Sequence, residues 1–188
     1  MAKIIDIIQA CKLNDRKAQH HLYKHCYPTL MKVCYRYTNN KEDAAVLYNN
    51  GFLKILNGLQ SYDVDVPFEH WSRRVMINSI LDEFRKNKKY KENIVFKDWQ
   101  GDDAHEVYID SKKTDAKFDV EGILKLLHTL APATCRIFNL YAMDGYSHKE
   151  ISKMLDISEG TSKWHLSEAR RILKEKIESG VISILFWL

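Results

Sequence analysis

The chain has 188 residues, 45% of them apolar, which suffices for one domain or two small ones with real cores, while only 7 glycines and 3 prolines argue against an all-β fold dense in turns. A net charge of +4 announces no nucleic acid by itself, but residues 41–69 carry two lysines against five acids and residues 70–91 carry seven Lys/Arg against two acids. Such a change of sign between neighbours predicts two different partners rather than one evenly solvated surface.

The apolar periodicity predicts an all-α fold. Helices are expected over 4–12, over 16–38 with Leu22, Cys26, Leu30, Val33 and Tyr37 at near-heptad spacing and a kink at Pro28, and over 41–58. The third has Leu47, Phe52, Ile55, Leu56 and Leu59 as its apolar stripe. A loop over 61–67 leads to a fourth helix over 68–89, in which Trp71 and Val75 read as packing residues. These make one helical domain, residues 1–90. Residues 91–118 lose periodicity and read as a charged linker, with a short local element at 94–99. A second helical domain over 119–178 follows, with helices at 119–130 and 132–143, then two more helices, then an apolar tail, 179–188.

The last two helices read as a helix-turn-helix. Ser147 caps the first, and Glu150 three residues on completes a capping box. Ile151, Met154 and Leu155 line one face, Asp156, Ile157 and Ser158 form the turn, and a longer helix runs over 159–178 with Leu166, Ala169 and Leu173 at core spacing. Its expected outer face carries Thr161, Lys163, His165, Ser167, Arg170 and Arg171, the arrangement that places side chains in a major groove.

Cys11, Cys26, Cys34 and Cys135 form neither a CxxC pair nor a disulfide framework and read as reduced core thiols of a cytoplasmic protein. Asp6 interrupts the N-terminal apolar run too early for a signal peptide. No segment approaches the roughly 20 apolar residues of a membrane span. His21 and His25 lie one helical turn apart beside His20 and Cys26, but two ligands do not make a metal site. Without a Gly-rich phosphate loop, nucleophile elbow or carboxylate dyad, no enzyme, cofactor or small-molecule substrate is expected.

Two helical domains in this order resemble an RNA polymerase sigma factor of the extracytoplasmic-function type. In the first domain the resemblance rests on Ala18, Leu22-Tyr23, Asn40 to Ala44, Phe52 to Leu56, and Phe68, Trp71, Arg73, Asn78, Asp82 and Arg85-Lys86. In the second it rests on Leu126, Leu130 to Pro132, Arg136 to Leu140, Gly145 to Ser147, Glu150-Ile151, Leu155 to Thr161, Ala169-Arg170 and Leu173. The resemblance implies core RNA polymerase and promoter DNA as partners, an anti-sigma factor as a further one, and no covalent chemistry.

It implies polymerase docking through Asp43, Leu47, Asn49, Asn50, Phe52 and Ile55. Tyr62, Asn78, Arg85, Lys86, Lys88 and Lys89 are implied at the −10 element and its melting, with Tyr62 stacking on an unpaired base. Ser147, Glu159, Thr161, Ser162, Lys163, His165, Ser167, Arg170 and Arg171 are implied at the −35 element, with Arg170 and Arg171 on phosphates and Lys163 and His165 reading bases. Two departures stand out. Val46, Asn49 and Asn50 replace the family's acidic residue and Gln-Glu pair, which predicts a weaker or lineage-specific clamp surface. Ser162, beside the unusual Trp164, replaces a buried valine, a change that costs about 1 kcal/mol unless the hydroxyl is bonded. The tail over 181–188 is expected to dock on the protein itself and mask a binding surface. The competing readings are a stand-alone helix-turn-helix regulator and a sigma-like decoy for an anti-sigma factor.

Overall fold

A computed structural model of the chain describes residues 4–86 and 120–178, and the chain divides into two units, Met1–Lys88 and Lys89–Leu188. All regular structure among the described residues is helical. The linker over 91–118, Lys88, Lys89 and the tail over 179–188 lie outside the described residues.

The first unit contains α1 (Ile4–Lys12), α2 (Arg16–Tyr35), α3 (Lys41–Gly58), a 3-10 turn (Leu59–Ser61) and α4 (Phe68–Lys86). Asp15 starts α2 because its carboxylate accepts the free N–H groups of Lys17 at 2.7 Å and Ala18 at 3.1 Å. Asn40 starts α3 in the same way, accepting from the Asp43 N–H at 2.7 Å. The second helix ends at Tyr35, three residues before the expected 38, because the Arg36 N–H turns back to the carbonyls of Val33 and Cys34. Pro28 lies inside α2 on its exposed side, and the helix runs on through it.

The core of this unit is built from Leu22 and Leu30 of α2, Tyr48 and Ile55 of α3, and Met76, Ile77 and Ile80 of α4, all essentially out of solvent. Each such aliphatic side chain contributes about 1.5–3 kcal/mol by leaving water. Tyr48 brings a hydroxyl into this core and bonds it to the Tyr23 carbonyl at 2.9 Å, so no polar group is stranded. Gly51 lets α3 and α4 approach closely: a methyl group there would overlap the Met76 sulfur.

The second unit contains α5 (Val120–Leu127), α6 (Pro132–Phe138), a π-helical turn (Asn139–Met143), α7 (His148–Leu155) and α8 (Glu159–Glu178). Pro132 opens α6, where a missing N–H costs nothing. The single helix expected over 132–143 widens into the π turn after Phe138, and the Asp144 N–H reaches back five residues to Asn139 at 3.0 Å. Asn139 is buried there, its amide bonded to the Cys135 sulfur at 3.6 Å. Leu126, Leu127 and Leu130 pack with Cys135, Ala169 and Leu173 as the core beneath α8.

Candidate functional site

The helix-turn-helix forms at the expected residues. The Ser147 hydroxyl accepts from the Glu150 N–H at 3.3 Å, and the Glu150 carboxylate accepts from the Ser147 N–H at 3.0 Å, completing the capping box. Asp156 then takes left-handed angles, φ 55° and ψ 53°, and ends α7. Ser158 starts α8 by accepting from the Thr161 N–H at 2.9 Å.

The face that α8 turns outward differs from the expected one. Thr161, Ser162 and His165 are buried, on the side shared with Leu166, Ala169 and Leu173. They belong to the interior rather than to a groove-reading surface. Thr161 bonds the Ser158 hydroxyl at 2.9 Å. Ser162 lies 2.9 Å from His148 Nδ1, so the hydroxyl that replaces a valine is bonded. His165 is only 4% exposed, with Nδ1 2.9 Å from the Thr134 hydroxyl and its ring edge-to-face with Trp164 at 4.8 Å. Burial holds this imidazole neutral by pushing it down to about 4, against the opposing pull of Glu168.

The outward face is therefore Glu159, Lys163, Ser167, Arg170 and Arg171, with Ser167 and Arg170 half-buried and the others exposed. The two arginines are not equivalent. Arg171 is held in a fork, its Nε and Nη2 donating to Glu168 at 2.8 and 2.7 Å and its Nη1 to Glu175 at 2.7 Å. These carboxylates raise its already high basicity and already neutralise it. Arg170 instead lies 6.0 Å from the centre of the Tyr141 ring. Tyr141, on the π turn, stacks on His148 at 4.5 Å and 24°. Sequence reasoning missed both Tyr141 and His148; the one signal for His148 is its place immediately after the capping serine.

In the first unit, Tyr62 is 7% exposed and inward. Its hydroxyl donates to the Val66 carbonyl at 2.6 Å, and its ring packs on Phe68 at 5.6 Å and Trp71 at 4.9 Å. The ring is thus held between its own loop and the start of α4 and offers no open stacking face. The loop instead exposes Val64 and Val66. Asn78, Arg85 and Lys86 are exposed along α4. Arg85 Nη1 donates to Asp82 at 2.9 Å. Asp82 also accepts from Lys54 at 2.9 Å, and that bond leads the causes holding its carboxyl below the ordinary range.

The docking residues expected on α3 divide in two. Leu47, Phe52 and Ile55 are interior, Ile55 completely, so they shape the core rather than touch a partner. Asp43, Asn49 and Asn50 are exposed. Asp43 accepts from the Asn40 amide at 2.7 Å, and Asn49 accepts from the Tyr23 hydroxyl at 3.1 Å. Beside these amides stand Val46, 54% exposed, and Leu53, 58% exposed, with Tyr27 also in solvent. Val46, Asn49, Asn50 and Leu53 are spaced as one helix face over two turns. These four side chains carry no charge, and Glu42, Asp43 and Lys54 border them.

Cys11, Cys26, Cys34 and Cys135 are all buried and form no disulfide, and burial pushes Cys26 and Cys34 up to about 12. Among the described residues no cluster of three His, Cys, Asp or Glu is placed to hold a metal, and no helix is long and apolar enough to cross a membrane.

Comparison with known proteins finds a family for each of the two units. Residues 22–90 match the Sigma-70 region 2 family, and residues 121–173 match the Sigma-70, region 4 family. The ECF RNA polymerase sigma factor SigM of Mycobacterium tuberculosis is 23% identical over 165 residues, 88% of this chain and 80% of that protein. The ECF RNA polymerase sigma factor SigE of Mycolicibacterium smegmatis is 23% identical over 144 residues, 77% of this chain, and the matched part spans 55% of that relative. Among solved structures, the sigma factor RpoE in complex with the anti-sigma factor NepR from Bartonella quintana has a like fold, with a TM-score of 0.53 and 16% identity over 85% of this chain and 96% of that one.

Proposed function

Because the chain belongs to the sigma-70 family, in its extracytoplasmic-function branch, we propose that it binds core RNA polymerase through the outer face of α3 and directs it to promoters through α8. A sigma factor serves transcription initiation without covalent chemistry of its own. Its work is binding, so the surfaces that stay open in each folded unit are the ones to consider. The observation that carries this reading is the presence of both sigma-70 regions, in order, on one chain.

On this reading the uncharged face of Val46, Asn49, Asn50 and Leu53 meets the polymerase, with Asp43 at its edge. Apolar side chains left in solvent gain by desolvation when a partner covers them. Asn78, Arg85 and Lys86, with Lys88 and Lys89 following in sequence, track the strand at the −10 element. Lys163, Ser167 and Arg170 face the duplex at the −35 element, with Lys163 and Arg170 on its phosphates. Ser147 and Glu159 flank the same surface from the two helix starts. An anti-sigma factor competes for these faces in the same scheme.

Co-purification of the full chain with bacterial core RNA polymerase tests the reading. Stable association supports it. A chain that binds specific duplex DNA yet never associates with core polymerase is a stand-alone regulator. A chain that associates only with an anti-sigma factor is a decoy.

A further inference from the structure

His148 opens α7 half-buried, and contacts from two other elements fix its ring. Its Nδ1 lies 2.9 Å from Ser162 Oγ on α8, and its plane stacks on Tyr141 of the π turn at 4.5 Å. Arg170 of α8 reaches the same tyrosine ring at 6.0 Å. The charged groups acting on the imidazole also come from α8: Lys163 and Arg170 as cations, with Glu159 opposing them. His148 and Arg170 thus meet at the Tyr141 ring where α8 faces the start of α7, with the Lys163 charge acting on the same imidazole.

We propose that His148, Lys163 and Arg170 together bind one backbone phosphate of duplex DNA, and that His148 takes up one proton from solvent as that phosphate docks. The inference rests on the DNA-docking reading above and adds to it a contact and a linked proton.

The chemistry is that of a local field reversed by its ligand. Without an anion, burial first and then the Lys163 cation hold His148 below its ordinary value; Arg170 adds to this, and Glu159 works against it. A phosphodiester between Lys163 and Arg170 replaces that repulsion with attraction, and the charged imidazole donates to a phosphate oxygen. Ser162 tolerates both states. Its hydroxyl donates to Nδ1 of the neutral ring and accepts from Nδ1–H of the imidazolium, so the bond survives protonation. Tyr141 stacks on the same ring from the π turn. Proton uptake on binding requires affinity to rise as pH falls. A valine in place of Ser162 would give the ring no such partner.

The test uses the full chain and a short mixed-sequence DNA duplex at low salt, since a phosphate contact carries no sequence information. Affinity is measured for wild type and His148→Gln from about pH 8 to about pH 6, the window of an imidazole. Wild type is expected to tighten several-fold more than the variant over that range. A second readout needs no substitution: the NMR titration midpoint of the His148 ring is expected to move upward when duplex is added. Parallel pH profiles in the two proteins, or a midpoint unmoved with duplex bound, overturn the proton linkage while leaving DNA binding intact. If wild type binds no duplex at any pH, the DNA-docking reading falls with it.

Discussion

On α3 two large apolar side chains, Val46 and Leu53, stand in solvent, whereas on α8 three polar ones, Thr161, Ser162 and His165, lie inside. Each helix departs from the apolar-in, polar-out pattern, and the departures have opposite physical causes. Thr161, Ser162 and His165 are tolerated inside because each finds a hydroxyl or imidazole partner at 2.9 Å, which offsets the desolvation of a polar group. Val46 and Leu53 have no such compensation within the first unit, and a partner that covers them removes their contact with water. Polar groups that are buried mark how α8 is held, and apolar groups that are exposed mark the face of α3 proposed to meet a partner.

The largest effect is expected from placing charge on the α3 face. Val46→Asp with Leu53→Asp should lower recovery of core polymerase at least tenfold, corresponding to about 1.4 kcal/mol or more, with an unchanged thermal midpoint. An equal loss of stability in the variant would show that these residues serve the fold instead. The uncharged face also sets a contrast in salt: polymerase association should vary little with ionic strength, while duplex affinity falls steeply. Parallel salt dependence of the two would remove the distinction.

Next come the buried groups of α8. His165 is held neutral down to about 4 in the folded unit and titrates near 6.5 when unfolded. The unfolded chain therefore binds the extra proton first as pH falls. The stability contribution is complete above about pH 6.5 and shrinks toward about pH 4, by a total on the order of 3 kcal/mol. Denaturant melts of wild type and His165→Gln across that range should diverge in slope; identical slopes would refute the assignment. Thr134→Val, which strands His165 Nδ1, should cost about 1–3 kcal/mol in the same melts, and an unchanged midpoint would mean the hydroxyl is dispensable.

The smallest contrast lies between two adjacent arginines. Arg170→Ala should weaken duplex binding and lower its salt slope by about one. Arg171→Ala should leave that slope nearly as it was, because Glu168 and Glu175 already hold its guanidinium. A larger slope change at Arg171 would reverse their roles.

Much of the fold was legible because its signals are local. The capping box at Ser147 and Glu150 and the turn at Asp156–Ser158 mark α7 and α8 in sequence, and the helices of the first unit follow their apolar stripes. The widening after Phe138 was not, since a π turn arises from how the chain leaves α6 and places Asn139 inside. Site residues were read by chemical type, and there polarity misled. The spacing of Thr161 and His165 relative to Leu166, Ala169 and Leu173 already puts them on the inner side of a helix with 3.6 residues per turn; their polar character drew the expectation outward. Tyr62 failed differently: an aromatic ring in a loop reads as a stacking platform until the fold brings Phe68 and Trp71 against it. The pairing of Tyr141 with His148 crosses from the π turn to α7 and leaves no periodic trace.

Run-off transcription on fragmented host genomic DNA with reconstituted core polymerase tests most directly whether the open faces of α3 and α8 act together in initiation. Discrete new start sites are expected with the wild-type chain, lost with Val46→Asp/Leu53→Asp through failure to bind polymerase and weakened with Arg170→Ala through failure to hold the duplex. Transcription from the same sites, at the same level, by all three proteins would contradict it.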